Sequence, residues 1–366
     1  MSLFLIYFNS NAQKFHLIKG QVKNYKNDAI PNTHIFISGE PIGSVTNNQG
    51  LFSLKIPYNK CKNTLIFSHV EYESDTATFD CSNPKSLNII LKEREYVLDE
   101  IVIQSLSVED IMTKVISDLE NNFQLPSITY TFFTRITESI KDKPILLEEF
   151  IYKLYHDETS KPEYNIIKVR GKGYSRLGES RYKEARLIDI HGTDSHIMLR
   201  YIPDFLQKGK FKKYNYKIMD EVIDEDEEYY VISIDSDRYL KGGLIHVNMS
   251  DYGITYMESY YKDEKWSDME IKDHVKVTNY QKFGDKYCFT HGYKNERLVL
   301  KKLDIEIDKH RVSVATDRVN RQAFEKAEEM GRMSKMLKNF DGEFDDSFWD
   351  DYNFIPLDSS FIEDPL

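Results

Sequence analysis

Short segments with the alternation of a β-strand recur through most of this chain, separated by turn sequences. The stretch GSVTNNQGLFSLKIP is an example, because Asn47 and Gly50 favour a chain reversal. Apolar and polar residues then alternate from Phe52 to Ile56, which predicts a strand with one buried face. Residues 14–105 contain a series of such strands, of which this stretch supplies the third. The series predicts a small antiparallel β-sandwich.

The composition agrees with a mainly β protein. The 366 residues include 25 Tyr and 21 Phe, and aromatic residues favour pleated, half-buried surfaces. A chain of this length is expected to form two or three domains. The net charge of −11 argues against a nucleic-acid-binding protein, which normally presents a basic face.

The pattern changes to a helical period after the sandwich region. Residues 106–125 predict an amphipathic linking helix, with Ile111, Val115 and Leu119 on one apolar stripe. Ser107 is a suitable N-cap, and an acidic residue follows it three positions later, as in a capping box. This helix is expected to begin a second structural unit.

Residues 126–315 return to strand patterning and are rich in Tyr. Turn sequences at 250–253 and 283–285 are hairpin signals between successive strands. The segment therefore predicts a strongly curved antiparallel sheet or half-barrel. Residues 316–338 predict a C-terminal helix.

Residues 339–366 form an acidic tail with aromatic anchors. The tail holds nine acidic residues and no Lys or Arg, so it accounts for most of the excess negative charge. Trp349, Phe354 and Ile355 are apolar residues inside this acidic run. We expect the tail to lie back on the sheet, the alternative being a free peptide that docks on a partner.

Residues 1–13 resemble the end of a secretory signal peptide. An apolar run from Leu3 to Phe8 precedes Ser10 and Ala12, which match the −3 and −1 positions of a cleavage site. The run is short and lacks a preceding basic residue, as a truncated signal peptide would. A native N-terminal strand is the alternative. No later apolar run approaches ~18 residues, so no transmembrane helix is predicted.

The three cysteines are far apart and form no CxxC pair, so the spacing supports neither a zinc site nor a thioredoxin-type site. Cys61 and Cys81 flank neighbouring predicted strands and could form a disulfide in an oxidising compartment. Independent free thiols are the interpretation we expect.

Five segments of the sandwich region occur in the order and spacing of a known family. They are GQV at 20–22, AIPNTHI at 29–35, GSVTNNQGLF at 43–52, FSHVEY at 67–72 and LDEIVI at 98–103. The region thereby resembles the carboxypeptidase-like regulatory domain. This resemblance implies a prealbumin-like sandwich of seven strands with a non-catalytic accessory role. Members occur in secreted carboxypeptidases and in envelope proteins of Gram-negative bacteria, which implies an exported protein, periplasmic or associated with the outer membrane.

A second resemblance concerns the Tyr-rich region. The segments YYVISIDS and GGLIHVNMSDYGITYMESYY are similar to the sheet of LolA-like lipoprotein carriers, in which one strand ends in a turn and the next runs back. This similarity implies a lipid as a further candidate ligand.

The search for catalytic chemistry finds no HExxH, GxSxG, P-loop or GxGxxG motif. Asp189 and His191 would share a strand face and could hold a metal, but an ordinary polar loop is the favoured interpretation. The acidic run 220–228 predicts a solvated hairpin tip rather than a calcium loop. Ser68 and His69 would point to opposite faces of a strand, so His69 is interpreted as structural. No catalytic, cofactor-binding or metal-ligating residue is predicted, and no cofactor.

The leading hypothesis is a non-enzymatic envelope protein that binds a protein or glycan partner through the sandwich and a concave sheet. A lipid or lipoprotein carrier with an apolar cavity is the alternative. A hydrolase or peptidase-associated protein is the remote alternative, because the zinc-ligand pattern of a carboxypeptidase is missing.

Overall fold

The structure is a computed structural model. It describes residues 15–62, 64–83, 86–94, 106–123, 128–156, 163–178, 202–224, 227–236, 241–265, 269–320, 349 and 352–362.

Over the described residues, seven strands form the N-terminal sandwich, which is the number that the family resemblance implies. One sheet has the order β4-β1-β7 and the other the order β3-β2-β5-β6. Phe52 of the first sheet and Phe67 of the second meet edge to face in the shared core, with ring centroids 5.6 Å apart. The strands are β1 (Phe15–Asn24), β2 (His34–Phe36), β3 (Gly43–Val45), β4 (Leu51–Pro57), β5 (Thr64–His69), β6 (Tyr72–Thr78) and β7 (Leu87–Leu91).

The stretch from Gly43 to Pro57 contains two strands, not one. Its turn separates β3 from β4, so the alternating segment is the fourth strand and pairs with β1 in the other sheet. Gly50 takes a φ of 71°, and Asn47 Oδ1 accepts hydrogen bonds from the backbone N–H groups of Gln49 and Leu51. Asn47 and Gly50 thus form the chain reversal that the sequence predicts.

The expectation of free thiols at Cys61 and Cys81 is wrong, because these residues form a disulfide. Cys61 precedes β5 and Cys81 follows β6. The antiparallel pairing of Thr64 with Thr78 brings those two strand ends together. The Cα atoms of the cysteines are consequently 6.3 Å apart, within the range that a disulfide spans.

The predicted linking helix is α1 (Val108–Phe123). Ser107 Oγ accepts a hydrogen bond from the Asp110 backbone N–H and donates one to the Asp110 carboxylate, which confirms the capping pair. The buried stripe of α1 packs on the large sheet that follows it in the chain. There Phe123 meets Tyr280 and Tyr287, with ring centroids 5.0 and 5.7 Å away.

In the part of the chain that the structure describes, ten antiparallel strands form the large sheet of the second unit, which is curved and not closed. The chain runs through β8, β9 and β10, crosses to the opposite edge at β11 and returns strand by strand until β17 pairs with β8. The strands are β8 (Ile128–Ile140), β9 (Lys143–His156), β10 (Glu163–Gly173), β11 (Asn215–Asp224), β12 (Glu227–Asp235), β13 (Lys241–Asn248), β14 (Ile254–Lys265), β15 (Met269–Phe283), β16 (Lys286–Leu300) and β17 (Ile305–Asn320).

The two faces of this sheet pack against different parts of the structure. Tyr130 and Phe132 of β8 belong to the apolar cluster under α1, and we call this side the helix face. Phe133 alternates with them and belongs to a cluster that also contains Val45 of the sandwich, so we call that side the sandwich face. Period-two alternation along β8 thus separates two different packing partners.

The C-terminal tail lies back on the sheet, as predicted. Trp349, Phe354 and Ile355 pack on the sandwich face against Phe133 and Val314. A single turn of helix, α2 (Ser359–Ile362), ends the described tail. The tail therefore occupies the junction between the sandwich and the sheet.

Strand β17 enters the segment predicted as a C-terminal helix. It continues to Asn320 because it pairs with β8 as far as the partners Asn320 and Ile128. The remainder of that segment, 321–338, lies outside the described residues, as do the predicted signal peptide at 1–13 and the last predicted strand of the sandwich region, at 97–105.

We predict that Cys61→Ser combined with Cys81→Ser lowers the free energy of unfolding by about 3 kcal/mol. The disulfide closes a loop with a sequence separation of 20, and its removal restores loop entropy to the unfolded chain. Urea denaturation with and without a reductant measures the loss. The double variant serves as the control, since the reductant should not change its stability. Equal stability of the wild type in both conditions would contradict the prediction.

Candidate functional site

A buried carboxylate with two arginines anchors the tail to the sheet. Glu149 Oε1 accepts from Arg135 Nε at 2.7 Å, and the other carboxylate oxygen pairs with Arg170 Nε. Arg135 also donates to the carbonyls of Ile355 and Pro356, at 2.5 and 2.9 Å. The network joins strands β8, β9 and β10 to the tail. All three charged side chains are almost fully buried.

Trp349 completes this anchor from the other side. The Arg170 guanidinium lies 4.9 Å from the centroid of the Trp349 ring, which is buried and also meets Phe133 edge to face. A desolvated guanidinium over an indole face is a favourable cation–π arrangement. The tail is therefore fixed to the sheet by charge and by packing together.

The same tail is hydrogen-bonded to the sandwich through the turn between β3 and β4. Asn48 donates to both carboxylate oxygens of Asp358, from its backbone N–H at 3.0 Å and from Nδ2 at 3.1 Å. Gln49 and Ser359 exchange two further hydrogen bonds, of 2.8 and 3.1 Å. Asn47 Nδ2 donates to the Pro356 carbonyl. This turn is thus a docking point for the tail as well as a corner of the scaffold.

Strand β4 extends the contact. The Lys55 backbone N–H donates to Asn353 Oδ1, and Asn353 Nδ2 donates back to the Lys55 carbonyl, at 2.6 and 3.1 Å. Lys55 Nζ donates to the Trp349 carbonyl at 2.6 Å. By binding both units, the tail holds the sandwich over the sandwich face of the sheet.

A cavity of about 290 Å³ lies between the two units where they face each other. The sandwich supplies its wall from β2, β5 and β6, and the sheet supplies the rest mainly from strands β12 to β16. Four histidines line the cavity, two from each unit. They are His34, His69, His246 and His291.

The histidine rings connect the two units. The rings of His34 and His291 stack with their centroids 4.7 Å apart. His246 packs against Tyr256 at 5.0 Å. His69 Nδ1 accepts the backbone N–H of Glu71 at 3.2 Å. At the cavity, the boundary between the units is therefore a layer of aromatic and polar rings, unlike the apolar cluster around Val45 and Phe133.

Breaks in strand register border this cavity on both sides. Between β15 and β16 the pairing shifts so that Thr290 is an extra residue, and Thr290 and His291 both line the cavity. Between β13 and β14 the extra residue is Thr255, next to Tyr256. The pairing of β5 with β6 shifts beside Ser74. Such bulges redirect side chains and are common next to functional sites.

Burial keeps these histidines neutral. Loss of hydration lowers the pKa of His34 and of His246 to about 3 and that of His69 to about 4. Burial, together with the neighbouring His34 and His69, lowers the pKa of His291 well below its ordinary value. At neutral pH the cavity therefore presents imidazoles that can each donate one hydrogen bond and accept another.

Among the residues that line the cavity, His246 Nε2 and Gln281 Oε1 are buried atoms without a hydrogen-bond partner in the part of the chain that the structure describes. An unpaired buried polar atom costs about 1–3 kcal/mol. Both residues line the cavity, but these two atoms are themselves buried.

The structure describes some of the candidate residues from the sequence analysis and not others. Ser68 and His69 both line the cavity, and Ser68 Oγ accepts a hydrogen bond from Ser74 Oγ at 3.2 Å. The acidic run 220–228 lies where β11 pairs with β12, with Asp224 opposite Glu227, and its residues 225–226 lie outside the described residues. The segment with Asp189 and His191 lies outside the described residues. Over the described residues, no group of three or more His, Cys, Asp or Glu side chains is arranged to hold a metal ion.

Sequence reasoning did not find His34, His246 or His291. Each lies within a strand, in HIF, LIHV and THGY, and nothing in the local sequence distinguishes it from an ordinary strand histidine. Their convergence depends on strand order and on the bulges, which the sequence pattern does not reveal.

The family comparison identifies the N-terminal unit. Residues 18–103 match the family model of the CarboxypepD_reg-like domain. This match confirms the resemblance predicted for the sandwich region. A comparison with curated proteins finds no match.

Solved structures with weak similarity cover the larger part of the chain. A LolA superfamily protein from Nitrosomonas europaea is 13% identical, with a TM-score of 0.28 over 61% of this chain and 97% of that one. A DUF1329 family protein from Desulfovibrio piger is 9% identical, with a TM-score of 0.25 over 62% and 98%. Lipovitellin is 9% identical, with a TM-score of 0.27 over 57% of this chain and 27% of its own. Scores this low support no argument about a ligand. No described helix has the length and apolarity needed to cross a membrane.

We predict that Glu149→Gln destabilises the protein by about 3–5 kcal/mol, because it leaves two buried guanidinium groups without their carboxylate. Urea denaturation measures the loss, and hydrogen exchange of the amides at 352–362 should rise with it. Glu93→Gln is the matched control, since the exposed pair of Glu93 with Lys26 is worth only about 0–1 kcal/mol. Equal effects of the two changes would refute the role assigned to Glu149.

Stability should fall on mild acidification. The cavity histidines have folded pKa values below the unfolded value of 6.5, so their contribution is complete above pH 6.5 and declines as the pH falls toward about 4. The decline is about 1.4 kcal/mol per pH unit for each histidine. His34→Phe should make it shallower by that amount. Urea unfolding between pH 7 and pH 5 measures the slopes, and identical slopes for wild type and His34→Phe would contradict the assignment.

Proposed function

We propose that this chain is a non-catalytic binding protein of the cell envelope that holds a small ligand in the cavity between the sandwich and the large sheet. The observation that carries the proposal is that both units contribute walls and histidines to one cavity of about 290 Å³. This volume is close to the lower end of small-molecule sites. A tail that binds both units supports the same view, because it fixes the walls relative to each other.

Three observations support an envelope location. Residues 18–103 match the CarboxypepD_reg-like domain, a type that the sequence resemblance associates with exported proteins. Cys61 and Cys81 form a disulfide, a bond that persists in oxidising compartments. The N-terminal residues carry the features of a secretory cleavage site.

The proposal treats the sandwich as an accessory wall rather than an enzyme module. The neutral histidines of the cavity contact aromatic rings, Thr290 and a backbone N–H group. Ser68 Oγ is bonded to Ser74, and His69 Nδ1 to the backbone of Glu71. These partners support binding rather than activation of a nucleophile, which requires a base and an orienting acid in contact.

A lipid carrier is the second candidate, and the helix face supports it. The largest apolar cluster lies there, under the amphipathic helix α1. Polar bonds hold this helix at the turn between β13 and β14, from Asn122 Nδ2 to the Asp251 carbonyl and from Lys114 Nζ to the Tyr252 hydroxyl, both at 3.0 Å. An acyl chain would enter between α1 and the sheet, away from the histidines.

We expect Ser74→Trp to abolish retention of a small ligand, because the indole would fill the cavity from β6. Protein purified from the envelope fraction without denaturation is examined by native mass spectrometry for a non-covalent adduct. Thr76→Trp, at an exposed position of the same strand, is the control and should keep the adduct. An acyl-bearing adduct that survives Ser74→Trp would instead favour the lipid carrier.

A further inference from the structure

We infer that the cavity binds a small monocarboxylic acid, with its carboxylate at Arg94 and His69 and its apolar body among the aromatic side chains. This inference rests on the proposed function, since it specifies the chemistry of the molecule held between the two units. It follows from the charge of Arg94, from a hydrogen-bond donor on His69 and from the hairpin that holds both side chains.

The hairpin of β5 and β6 holds Arg94 in the lining of the cavity. The Arg94 backbone N–H donates to the Glu71 carbonyl at 2.8 Å, and its Nη2 donates to the Tyr72 carbonyl at 3.0 Å. A carbonyl is neutral, so these bonds position the guanidinium without cancelling its charge. The charge acts within the cavity, since burial and then Arg94 lower the pKa of His246. A guanidinium is the group that binds a carboxylate best, through two parallel hydrogen bonds.

The same hairpin fixes a hydrogen-bond donor on His69. His69 Nδ1 accepts the backbone N–H of Glu71 at 3.2 Å, and its ring meets that of Tyr72 edge to face with centroids 5.2 Å apart. Because the imidazole is neutral and Nδ1 is the acceptor, Nε2 carries the proton. No described residue accepts that proton, and this nitrogen, unlike His246 Nε2, is accessible to a molecule the size of water. His69 Nε2 can therefore donate to a carboxylate oxygen in the cavity.

The other charged side chains of the lining favour a ligand with a single negative charge. Lys282 Nζ is paired with Asp251 at 2.5 Å. Glu227 is exposed, where water and salt screen its carboxylate, and it adds no positive charge. Arg94 can compensate one carboxylate. A doubly charged phosphate would keep an uncompensated charge in a partly buried site, which is costly.

Aromatic side chains from both units suit the apolar body of such an acid. Phe36 from the sandwich and Tyr256 and Tyr293 from the sheet line the same cavity as Arg94 and His69. Sites for small ligands combine such rings with a few polar groups that fix orientation. An acid whose body is a single ring therefore matches both the lining and the volume of about 290 Å³.

The test compares acids with amides of the same shape, on the full chain. Isothermal titration calorimetry at pH 7.5 measures the affinities of benzoate, phenylacetate and 3-phenylpropionate, of the three corresponding amides, and of phenyl phosphate. We expect at least one carboxylate to bind at least about tenfold more tightly than its amide and than phenyl phosphate, because it brings one negative charge to Arg94. The comparison is made on the wild type, so it does not depend on the folding of a variant.

Two variants test the named contacts. Arg94→Met should weaken binding of that carboxylate by about 10- to 100-fold and abolish the preference over its amide, whereas mere loss of structure at the hairpin would weaken both ligands and keep the preference. His69→Phe should weaken binding of the carboxylate by about tenfold. Arg297→Met is the matched control, since this exposed arginine pairs with Asp273 and Asp308 outside the cavity. Circular dichroism and thermal unfolding establish that each variant is folded.

The outcomes separate this inference from the proposed function. Equal affinity for acids and amides, tighter binding of phenyl phosphate, or a preference that survives Arg94→Met would each overturn the carboxylate site. A carboxylate that binds Ser74→Trp as tightly as the wild type would lie outside the cavity and would overturn the inference too. If no carboxylate binds, the inference fails, while a cavity-dependent adduct in native mass spectrometry would still support the proposed function. If that adduct is absent as well, the proposed function fails with it.

Discussion

The arrangement of the two units depends on the buried carboxylate of Glu149. The guanidinium groups of Arg135 and Arg170 share it. Arg135 also donates hydrogen bonds to two carbonyl groups of the tail. Desolvating such a network is costly, and removing one member costs more than the network contributes as a whole. Its value is therefore mainly geometric, because it fixes where the tail crosses the sheet, and the tail fixes where the sandwich sits.

The cavity follows from that placement. Neither wall encloses a volume alone: β2, β5 and β6 present one side and the sandwich face of the large sheet presents the other. At this boundary the packing changes from the aliphatic and aromatic cluster around Phe133 to stacked rings with polar edges at His34 and His291. Bulges in three strand pairs make the change, because each turns neighbouring side chains toward the gap.

Local pattern was enough to predict the strands, the capped helix α1 and the return of the tail to the sheet, since alternation, capping residues and apolar anchors act over a few positions. The pairing of Cys61 with Cys81 was missed because spacing alone does not reveal which strand ends meet in a hairpin. Glu149 reads as an ordinary strand residue in LLEEFIYKLYH, and its burial depends on arginines in two neighbouring strands. The histidine cavity could not be predicted from local pattern either, because it brings together residues as far apart in sequence as His34 and His291.

The bonds between Asn48 and Asp358 join residues 310 positions apart. A contact of that range closes a very long loop, so it forms late in folding. The strand pairings within the sandwich and within the large sheet span shorter separations in sequence, so each unit can fold before this contact forms. The tail thus completes a cavity between two units that can fold before it docks, and a chain without residues 349–362 would keep two folded units with no cavity fixed between them.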